Sequence, residues 1–239
     1  MRAVILAGGK GTRLRPFTAT LPKPLVPVGD RSILDIVLTQ LRRAGVDRVT
    51  MAVSHLAHLI MAYFGEGERW GLAIDYSVED KPLSTIGPLK LIDDLPESFF
   101  VMNGDVLTDL DLAELFRFHE DHDADITVST FERDAKIDFG VLRTDESNRV
   151  VGFEEKPVYH FRVSMGVYVL SRRLLEIVPE DTPFGFDDLM LACIAQGRRA
   201  ICRPHDGYWL DIGRPDDYAE ANEQIHDLLK KVLPEETQA

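Results

Sequence analysis

The sequence has little cysteine and no hydrophobic run long enough to cross a membrane. Cys193 and Cys202 are its two cysteines among 239 residues, too few for a disulfide framework, and we expect both to be small buried side chains in a reducing compartment. No apolar run approaches the ~20 residues of a membrane-spanning helix. The N-terminal AVIL is too short for a secretory signal and runs at once into a charged loop. These features predict a soluble, cytoplasmic protein.

Basic residues are also scarce, but their distribution is uneven. The chain has 27 Lys and Arg against 40 Asp and Glu, a formal net charge of -13. Such a charge disfavours nucleic acids and anionic membranes as partners, because both repel an acidic surface. Residues 1–29 nevertheless contain no acidic residue and five basic ones: Arg2, Lys10, Arg13, Arg15 and Lys23. This local reversal of sign predicts a small anionic ligand at the N-terminal loop.

The order of apolar runs predicts an α/β fold with a doubly wound, Rossmann-like, mostly parallel sheet. RAVILA, VDRVTMAVS, LAIDYSV and FFVMNGD have the composition of buried strands. Helical patterns separate them. One covers residues 32–44, with Ser32 as its N-cap and Gly45 as its stop signal. Alternating strands dominate the second half, and a last amphipathic helix begins at Asp216. We expect one domain over 1–239, with halves 1–125 and 126–225 and a tail 226–239.

The stretch GGKGTRLRP has the chemistry of a polyphosphate loop without matching a standard fingerprint. It lacks the Gly-Lys-Ser/Thr of a P-loop and the third glycine of G-x-G-x-x-G. Gly8, Gly9 and Gly11 still allow backbone N–H groups to approach a polyanion, and Arg13 adds a forked cationic donor. Lys23 follows in a segment stiffened by prolines. The alternative is an ordinary glycine-rich turn with solvated arginines.

Two aspartates follow apolar runs and are candidate metal ligands. Asp105 in NGD is expected at the sheet edge that carries the cationic loop, where a carboxylate is unfavourable unless a divalent cation separates it from phosphate. Asp211 in YWLDIGRP is the second candidate. Mg²⁺ is typically held by one or two carboxylates together with substrate phosphates, so Mg²⁺ is the expected cofactor.

Other polar motifs have plainer interpretations. FEEKP (153–157) is by itself typical of a charged surface turn. The pairs His55/His58 and His119/His122 have helical i, i+3 spacing, but without a third ligand they do not predict a zinc site. The latter two histidines lie in HEDHDAD, which we expect to be a solvated helix end.

Taken together, these stretches resemble the sugar-1-phosphate nucleotidyltransferases, the nucleotide-sugar pyrophosphorylases. LAGGKGTRLRPFT, PKPLVPV, NGD, EEKP and YWLDIGRP occur in the order and at the spacing of that family's motifs, from residue 1 to about residue 225. The resemblance is to short, single-domain members, and among them to the mannose- and heptose-1-phosphate guanylyltransferases. It implies a sugar-binding second half, a nucleoside triphosphate and a sugar 1-phosphate as substrates, and pyrophosphate as a product; it leaves a homo-oligomer open.

The resemblance also implies roles for individual residues. Arg13, Lys23 and Asp105 would be catalytic, with Arg13 on the departing pyrophosphate and Lys23 on the attacked α-phosphate. Asp105 and Asp211 would hold Mg²⁺. The sugar phosphate would be bound by Gly140, Glu155 and Lys156. Nucleotide binding would involve Leu6, Ala7, Gly8, Gly9, Gly11, Thr12, Arg13, Glu79, Ser84 and Gly87.

Departures from the family pattern bear on specificity. Ser84 in PLSTIGPL replaces a glycine next to the base, and SMG (164–166) replaces the N-A-G found in many relatives. Glu79 occupies the position of a glutamine in thymidylyl enzymes. A carboxylate only accepts hydrogen bonds, which suits guanine N1–H and N2–H₂, so GTP is the favoured nucleotide. A uridylyl- or thymidylyltransferase and a non-catalytic regulatory subunit are the alternatives; a dinucleotide oxidoreductase lacks its glycine fingerprint.

Overall fold

A seven-stranded sheet forms the centre of the molecule in a computed structural model that describes residues 1–233, apart from the side chains of His226 and Leu228. The strands are β1 (Arg2–Leu6), β2 (Pro27–Val28), β3 (Arg31–Ser32), β4 (Arg48–Val53), β5 (Ala73–Val78), β6 (Ser98–Asn103), β7 (Val106–Thr108), β8 (Ile126–Lys136), β9 (Val141–Thr144), β10 (Val150–Glu154), β11 (Val158–Ser171), β12 (Ala200–His205) and β13 (Trp209–Asp211). The α-helices are α1 (Ile33–Arg43), α2 (Ala57–Phe64), α3 (Leu112–Asp121), α4 (Phe186–Ala195), α5 (Pro215–Glu223) and α6 (Ile225–Val232).

The sheet order is β12-β8-β11-β6-β1-β4-β5. β1 pairs in parallel with β4 and β6, β4 with β5, and β12 with β8. β11 runs antiparallel to both of its neighbours, β6 and β8. This order, with β1 at the point where the winding reverses, confirms the doubly wound, mostly parallel α/β prediction. None of the helices formed by residues 1–233 is long and apolar enough to span a membrane.

Helix α1 begins and ends as the sequence predicts. Ser32 is the N-cap, and its Oγ accepts a hydrogen bond from the Asp35 backbone N–H at 3.2 Å, a contact typically worth about 1 kcal/mol. Leu34, Val37, Leu38 and Leu41 recur at helical spacing and pack into the core on one face of the sheet. The chain leaves the helix through Gly45, whose φ of 87° lies in the left-handed region.

The C-terminal part differs from the sequence-based expectation. Two helices, α5 and α6, replace the single helix expected from Asp216. Val232 and Leu233 are buried in a cluster with Leu14 and Ile33, so the first part of the predicted tail packs against the N-terminal half. The rest of that tail, residues 234–239, lies outside the described residues. Cys202 is exposed, contrary to expectation, because it alternates outward on the edge strand β12.

His119 was expected at a solvated helix end, and this expectation is wrong. Its side chain is 1% exposed between α3 and the sheet. Ser171 Oγ donates its proton to the Ala124 carbonyl at 2.7 Å and so accepts from His119 Nε2 at 3.1 Å, while Nδ1 accepts from the Thr127 hydroxyl at 2.9 Å. Burial lowers the pKa of His119 to about 4. The sequence predicts the helix but not the two hydroxyl groups that form hydrogen bonds with the imidazole ring.

We expect His119 to make stability depend on pH. Between the unfolded pKa of ~6.5 and the folded value of about 4, the unfolded imidazole binds a proton that the folded one does not. The free energy of unfolding should therefore fall by about 2 kcal/mol from this residue as pH drops from 7 to 5. Denaturant unfolding at both pH values should show a smaller fall in His119→Gln. The exposed His122→Gln is the matched control, and an equal fall in all three proteins would contradict the assignment.

Candidate functional site

A cavity of about 550 Å³ opens at the carboxyl ends of β1, β4 and β6. Its wall combines the glycine-rich loop, the segment after β5 and the turn after β6. The lining residues are Leu6, Gly8, Gly9, Lys10, Gly11, Thr12, Arg13, Lys23, Ala52, Ser54, His55, Glu79, Pro82, Ser84, Thr85, Pro88, Asn103, Asp105 and Gly213. Ligands of doubly wound folds bind at this edge, where the strand order reverses.

The glycine-rich loop lies close to its surroundings at two positions, Gly8 and Gly11. A Cβ on Gly8 would lie 2.9 Å from Glu79 Oε1, and a Cβ on Gly11 would lie 2.9 Å from Thr18 Cγ2. Gly11 also has φ +58°, a conformation that L side chains rarely adopt. Thr18 fixes the loop by donating its hydroxyl proton to the Gly11 carbonyl at 2.6 Å. The loop therefore presents backbone to the cavity.

Lys23 and Asp105 meet on the cavity wall. Their side chains form an ion pair and are mostly buried, at 12% and 20% exposure. Lys23 begins a short helical turn, Lys23–Leu25, between prolines, while Asp105 lies in the turn between β6 and β7. Both side chains line the same cavity, at the place where the sequence analysis expects them.

Pairing of β7 with β13 brings Asp211 to the same place. Asp211 is opposite Val106 in this ladder, and the Ile212 N–H donates to the Asp105 carbonyl at 3.1 Å. Burial raises the pKa of the Asp211 carboxyl, and the Asp105 carboxylate raises it further, while Lys23 and Arg13 oppose the shift. A Cβ on Gly213 would lie 3.6 Å from Asp211 Oδ2 and 3.8 Å from Arg13 Nη1.

The donors at this place fit a divalent metal shared with a ligand. Two mostly buried carboxylates repel each other, which a cation between them would relieve. Among residues 1–233 no group of three or more His, Cys, Asp or Glu side chains could hold a metal without help. Mg²⁺ needs no such group when phosphate oxygens complete its coordination. Asp105 and Asp211 are therefore suitable ligands for a metal that arrives with phosphate.

Glu79 and Ser84 also line the cavity. Glu79 Oε2 accepts from the Leu83 backbone N–H at 2.9 Å, which leaves Oε1 beside Gly8. Burial raises the pKa of Glu79, and the Leu83 hydrogen bond partly offsets this. Ser84 adopts φ +67°, the left-handed conformation for which glycine is suited. This conformation suits the glycine that the family resemblance expects at this position.

Several expected site residues lie away from the cavity. Ala7 and Gly87 are buried and do not line it. Gly140, Glu155 and Lys156 belong to the exposed β9–β10 hairpin region, and in the described structure none of these three lines the cavity. They are close to one another: a Cβ on Gly140 would lie 3.3 Å from Glu155 Oε2.

The cavity also contains residues that the sequence analysis missed. Ser54 and His55 follow β4, Asn103 ends β6, and Thr85 follows Ser84. Polar residues directly after buried strands were the available signal, since such positions gather at the carboxyl edge of the sheet.

Tyr168 lies near Asp105 and Asp211. Burial raises the pKa of its hydroxyl to about 12, and the charges of the two aspartates add a smaller contribution. The hydroxyl forms a hydrogen bond with Ser164 Oγ at 2.9 Å.

Known proteins resemble this chain over nearly its whole length. A mannose-1-phosphate guanylyltransferase of Mycobacterium tuberculosis is 35% identical to this chain, and the aligned region covers 97% of this chain and 66% of the relative. A UTP–glucose-1-phosphate uridylyltransferase of Synechocystis is 33% identical, and the aligned region covers 92% of this chain and 62% of the relative. The chain thus spans about two thirds of the length of these curated relatives.

Solved structures show the same fold. HddC from Yersinia pseudotuberculosis, complexed with GMP-PN, superposes with a TM-score of 0.71 at 29% identity, covering 94% of this chain and 99% of that one. A Bacillus anthracis structure in complex with a sucrose gives a TM-score of 0.76 at 22% identity and supports the fold alone. The family model described as nucleotidyl transferase matches residues 2–228. The chain belongs to the nucleotidyl transferase family.

Proposed function

We propose that this protein transfers a nucleotidyl group from a nucleoside triphosphate to a sugar 1-phosphate. The observation that carries the proposal is the cavity in which Arg13, Lys23 and a glycine-rich backbone face the paired Asp105 and Asp211. Cationic donors beside two carboxylates suit a polyphosphate that brings its own metal. The named relatives, guanylyl- and uridylyltransferases acting on sugar 1-phosphates, support the same reaction class.

The proposed reaction is an in-line displacement at phosphorus. A phosphate oxygen of the sugar 1-phosphate attacks the α-phosphorus, the bond from that phosphorus to the α,β-bridging oxygen breaks, and pyrophosphate leaves with the electron pair. Such reactions depend on positioning and charge neutralisation more than on proton transfer. A divalent metal, Mg²⁺ in this proposal, would be held by Asp105 and Asp211 and would neutralise charge on the phosphates.

The chain's own residues then have distinct tasks. Backbone N–H groups of the glycine-rich loop would hold the triphosphate, with Arg13 stabilising the charge that builds on pyrophosphate. Lys23 would leave its ion pair with Asp105 to contact the α-phosphate, the group under attack. In this proposal Gly140, Glu155 and Lys156, which lie in the β9–β10 hairpin region and do not line the cavity as described, bind the sugar phosphate.

GTP is the nucleotide that the proposal favours. Glu79 Oε1 beside the glycine-rich loop is an acceptor, and guanine offers two adjacent donors on its Watson–Crick edge. Mannose-1-phosphate guanylyltransferases among the relatives are consistent with this preference. Because a uridylyltransferase of Synechocystis is among the relatives, UTP is the alternative nucleotide. The test also includes dTTP, the substrate of a thymidylyltransferase.

A non-catalytic, nucleotide-sugar-sensing role is the candidate from another class. Loss of catalysis is expected to break the loop or remove a charged site residue. Here Arg13, Lys23 and Asp105 line the same cavity and Asp211 adjoins it, which favours an enzyme. A cytoplasmic location belongs to the proposal as well, and the two cysteines are unpaired, as it requires.

Pyrophosphate release tests the proposal. The purified protein should release pyrophosphate only when a nucleoside triphosphate, a sugar 1-phosphate and Mg²⁺ are all present. A matrix of GTP, UTP and dTTP against several sugar 1-phosphates should show the highest kcat/KM in a GTP column. Binding of a nucleotide sugar without turnover in any column would instead support the regulatory role.

Glu79→Gln should shift the preference for the base. Leu83 N–H needs an acceptor, so the new amide is expected to turn its oxygen to Leu83 and its NH₂ to the cavity. That NH₂ would oppose a guanine donor, and a mispaired buried polar group costs roughly 1–3 kcal/mol. GTP use should fall by about 10- to 100-fold, and UTP or dTTP use should fall less or rise.

Steady-state kcat/KM for the three nucleotides decides this prediction. Glu146→Gln, on an exposed turn, makes the same change of charge and amide chemistry and should keep the wild-type order. Wild type favouring a pyrimidine nucleotide, or an unchanged order in Glu79→Gln, would show that Glu79 does not read the base.

A further inference from the structure

Strands β8 and β11 continue past the seven-stranded sheet as a two-stranded ribbon. β12 pairs with β8 only over residues 126–131, and β6 pairs with β11 only from Val167 onward. Within the part of the chain that the structure describes, residues 132–136 and 158–162 therefore have only each other as strand neighbours. The hairpin β9–β10 lies between them in the chain and forms a separate two-stranded sheet. We call residues 132–162 the arm.

The arm lacks the packing that normally stabilises a sheet. Every residue from 132 to 162 is exposed or half-buried. A two-stranded ribbon is at best marginally stable in water unless a third strand or another layer packs against it. Its two edges also carry unpaired backbone groups, which are a template for pairing with another chain. The arm is therefore the part of this fold with most to gain from a partner.

Large apolar side chains are concentrated on the arm. It holds nine of the seventeen exposed large hydrophobic residues found in the described part of the chain, including Phe139 at 78% exposure. The β9–β10 register places Leu142 opposite Phe153, so both lie on one face of the hairpin. Tyr159 and Phe161 share a face of β11, and their ring centroids are 6.5 Å apart. The arm thus presents apolar faces to solvent.

The apolar area of the arm is what a protein–protein interface requires. At roughly 100 Å² exposed for each of the nine side chains, the arm offers on the order of 900 Å² of apolar surface. A standard interface buries about 800 Å² on each partner, whereas the largest apolar patch of a monomer is usually about 300–600 Å². The arm alone therefore supplies enough surface for a stable interface.

The charges of the arm suit a second copy of this chain. Residues 132–162 include seven acidic and six basic residues, so the arm is nearly neutral in a protein with a net charge of -13. Several of these charges are paired within the arm: Arg143 forms an ion pair with Glu154, and Arg162 lies 3.6 Å from Glu132. Two copies can meet here without the repulsion that their acidic surfaces exert elsewhere.

We propose that the arm is a homodimer interface, in which the arm of one chain packs against the same arm of a second copy. An isologous contact needs a surface that complements itself, and an apolar, nearly neutral face against its twin meets that requirement. The contact covers Leu142 and Phe153 on both chains and gives the ribbon the additional layer that it lacks. This inference does not rest on the proposed function, because its test measures mass and not turnover.

Sedimentation velocity of the full chain, from about 1 to 100 µM, tests the proposal. Wild type should sediment as a dimer that dissociates on dilution. Leu142→Thr/Phe153→Thr removes two apolar side chains but keeps a favourable cross-strand pair, and it should raise the dimer dissociation constant by at least about 100-fold. Leu191→Gln/Ile194→Gln removes two comparably exposed apolar side chains from α4 and should leave the constant within about twofold of wild type.

Hydrogen exchange of the wild-type protein is a second readout that needs no variant. Amides of the arm should exchange more slowly above the dissociation midpoint than below it. A monomer at every concentration would overturn the proposal: slow exchange in the arm would then indicate a cover from the same chain, and fast exchange a surface left for a different protein. Equal weakening by both double substitutions, or a dimer that Leu142→Thr/Phe153→Thr leaves intact, would overturn it as well.

Discussion

Asp105→Asn is expected to lower kcat by roughly 10²- to 10³-fold, the largest effect of any substitution considered. A neutral amide ligates Mg²⁺ poorly, and Asp211 alone would be left to hold a metal between the protein and the phosphates. The substitution also removes the partner of Lys23, so that ammonium is no longer held in position before the ligand arrives. Both effects act on the phosphorus under attack.

Two measurements separate loss of metal from loss of fold. Mn²⁺ binding followed by electron paramagnetic resonance should weaken in Asp105→Asn in the presence of nucleotide, while the thermal unfolding curve stays close to wild type. Asp121→Asn, the same exchange at an exposed position of α3, should change neither. Turnover within a few-fold of wild type would remove Asp105 from the metal site.

Arg13→Ala is expected to lower kcat by on the order of 10²-fold and nucleotide affinity by less. Its Nη1 lies near Gly213 and Asp211, at the end of the cavity where the phosphates of the proposed substrate meet the paired aspartates. An interaction that strengthens as charge builds on pyrophosphate acts on kcat, whereas uniform binding acts on KM. Arg13→Lys should recover activity only in part, because a point charge lacks the forked geometry.

Arg15→Ala is the matched control for Arg13. It removes the same charge two residues along the loop, at an exposed position that does not line the cavity as described. Its kcat should remain within a few-fold of wild type. If Arg13→Ala raised KM alone, Arg13 would be a ground-state binding residue, and the stabilisation of the leaving group would have to come from elsewhere on the loop.

The sequence groups several residues that line the cavity, for a physical reason. Strands that end at one edge of a parallel sheet deliver their following residues to one place, so Gly8, Arg13 and Asp105 could be grouped from apolar runs and punctuation alone. The charge reversal in residues 1–29 indicated an anionic ligand. Both signals are local in the chain.

Features that depend on contacts between distant segments were not predictable in the same way. Glu79 binds Leu83 N–H through one oxygen, which decides how a substituted amide would orient. His119 can be buried because both of its ring nitrogens form hydrogen bonds, with the hydroxyl groups of Thr127 and Ser171. Trp70 donates to Asp35 only because α1 and the Glu68–Trp70 turn lie side by side, and the spacing of residues along the chain does not show this.

The position of β11 has a consequence for dissecting the protein. β11 belongs to the second half of the chain, yet it is bonded to β6, whose end carries the turn with Asp105. A fragment ending near residue 125 would leave β6 as an open edge with unpaired backbone groups, including the fully buried Phe100, Val101 and Met102. Open apolar edges pair with other chains. We therefore expect that the two halves are not separable folding units and that neither can be exchanged as an independent cassette.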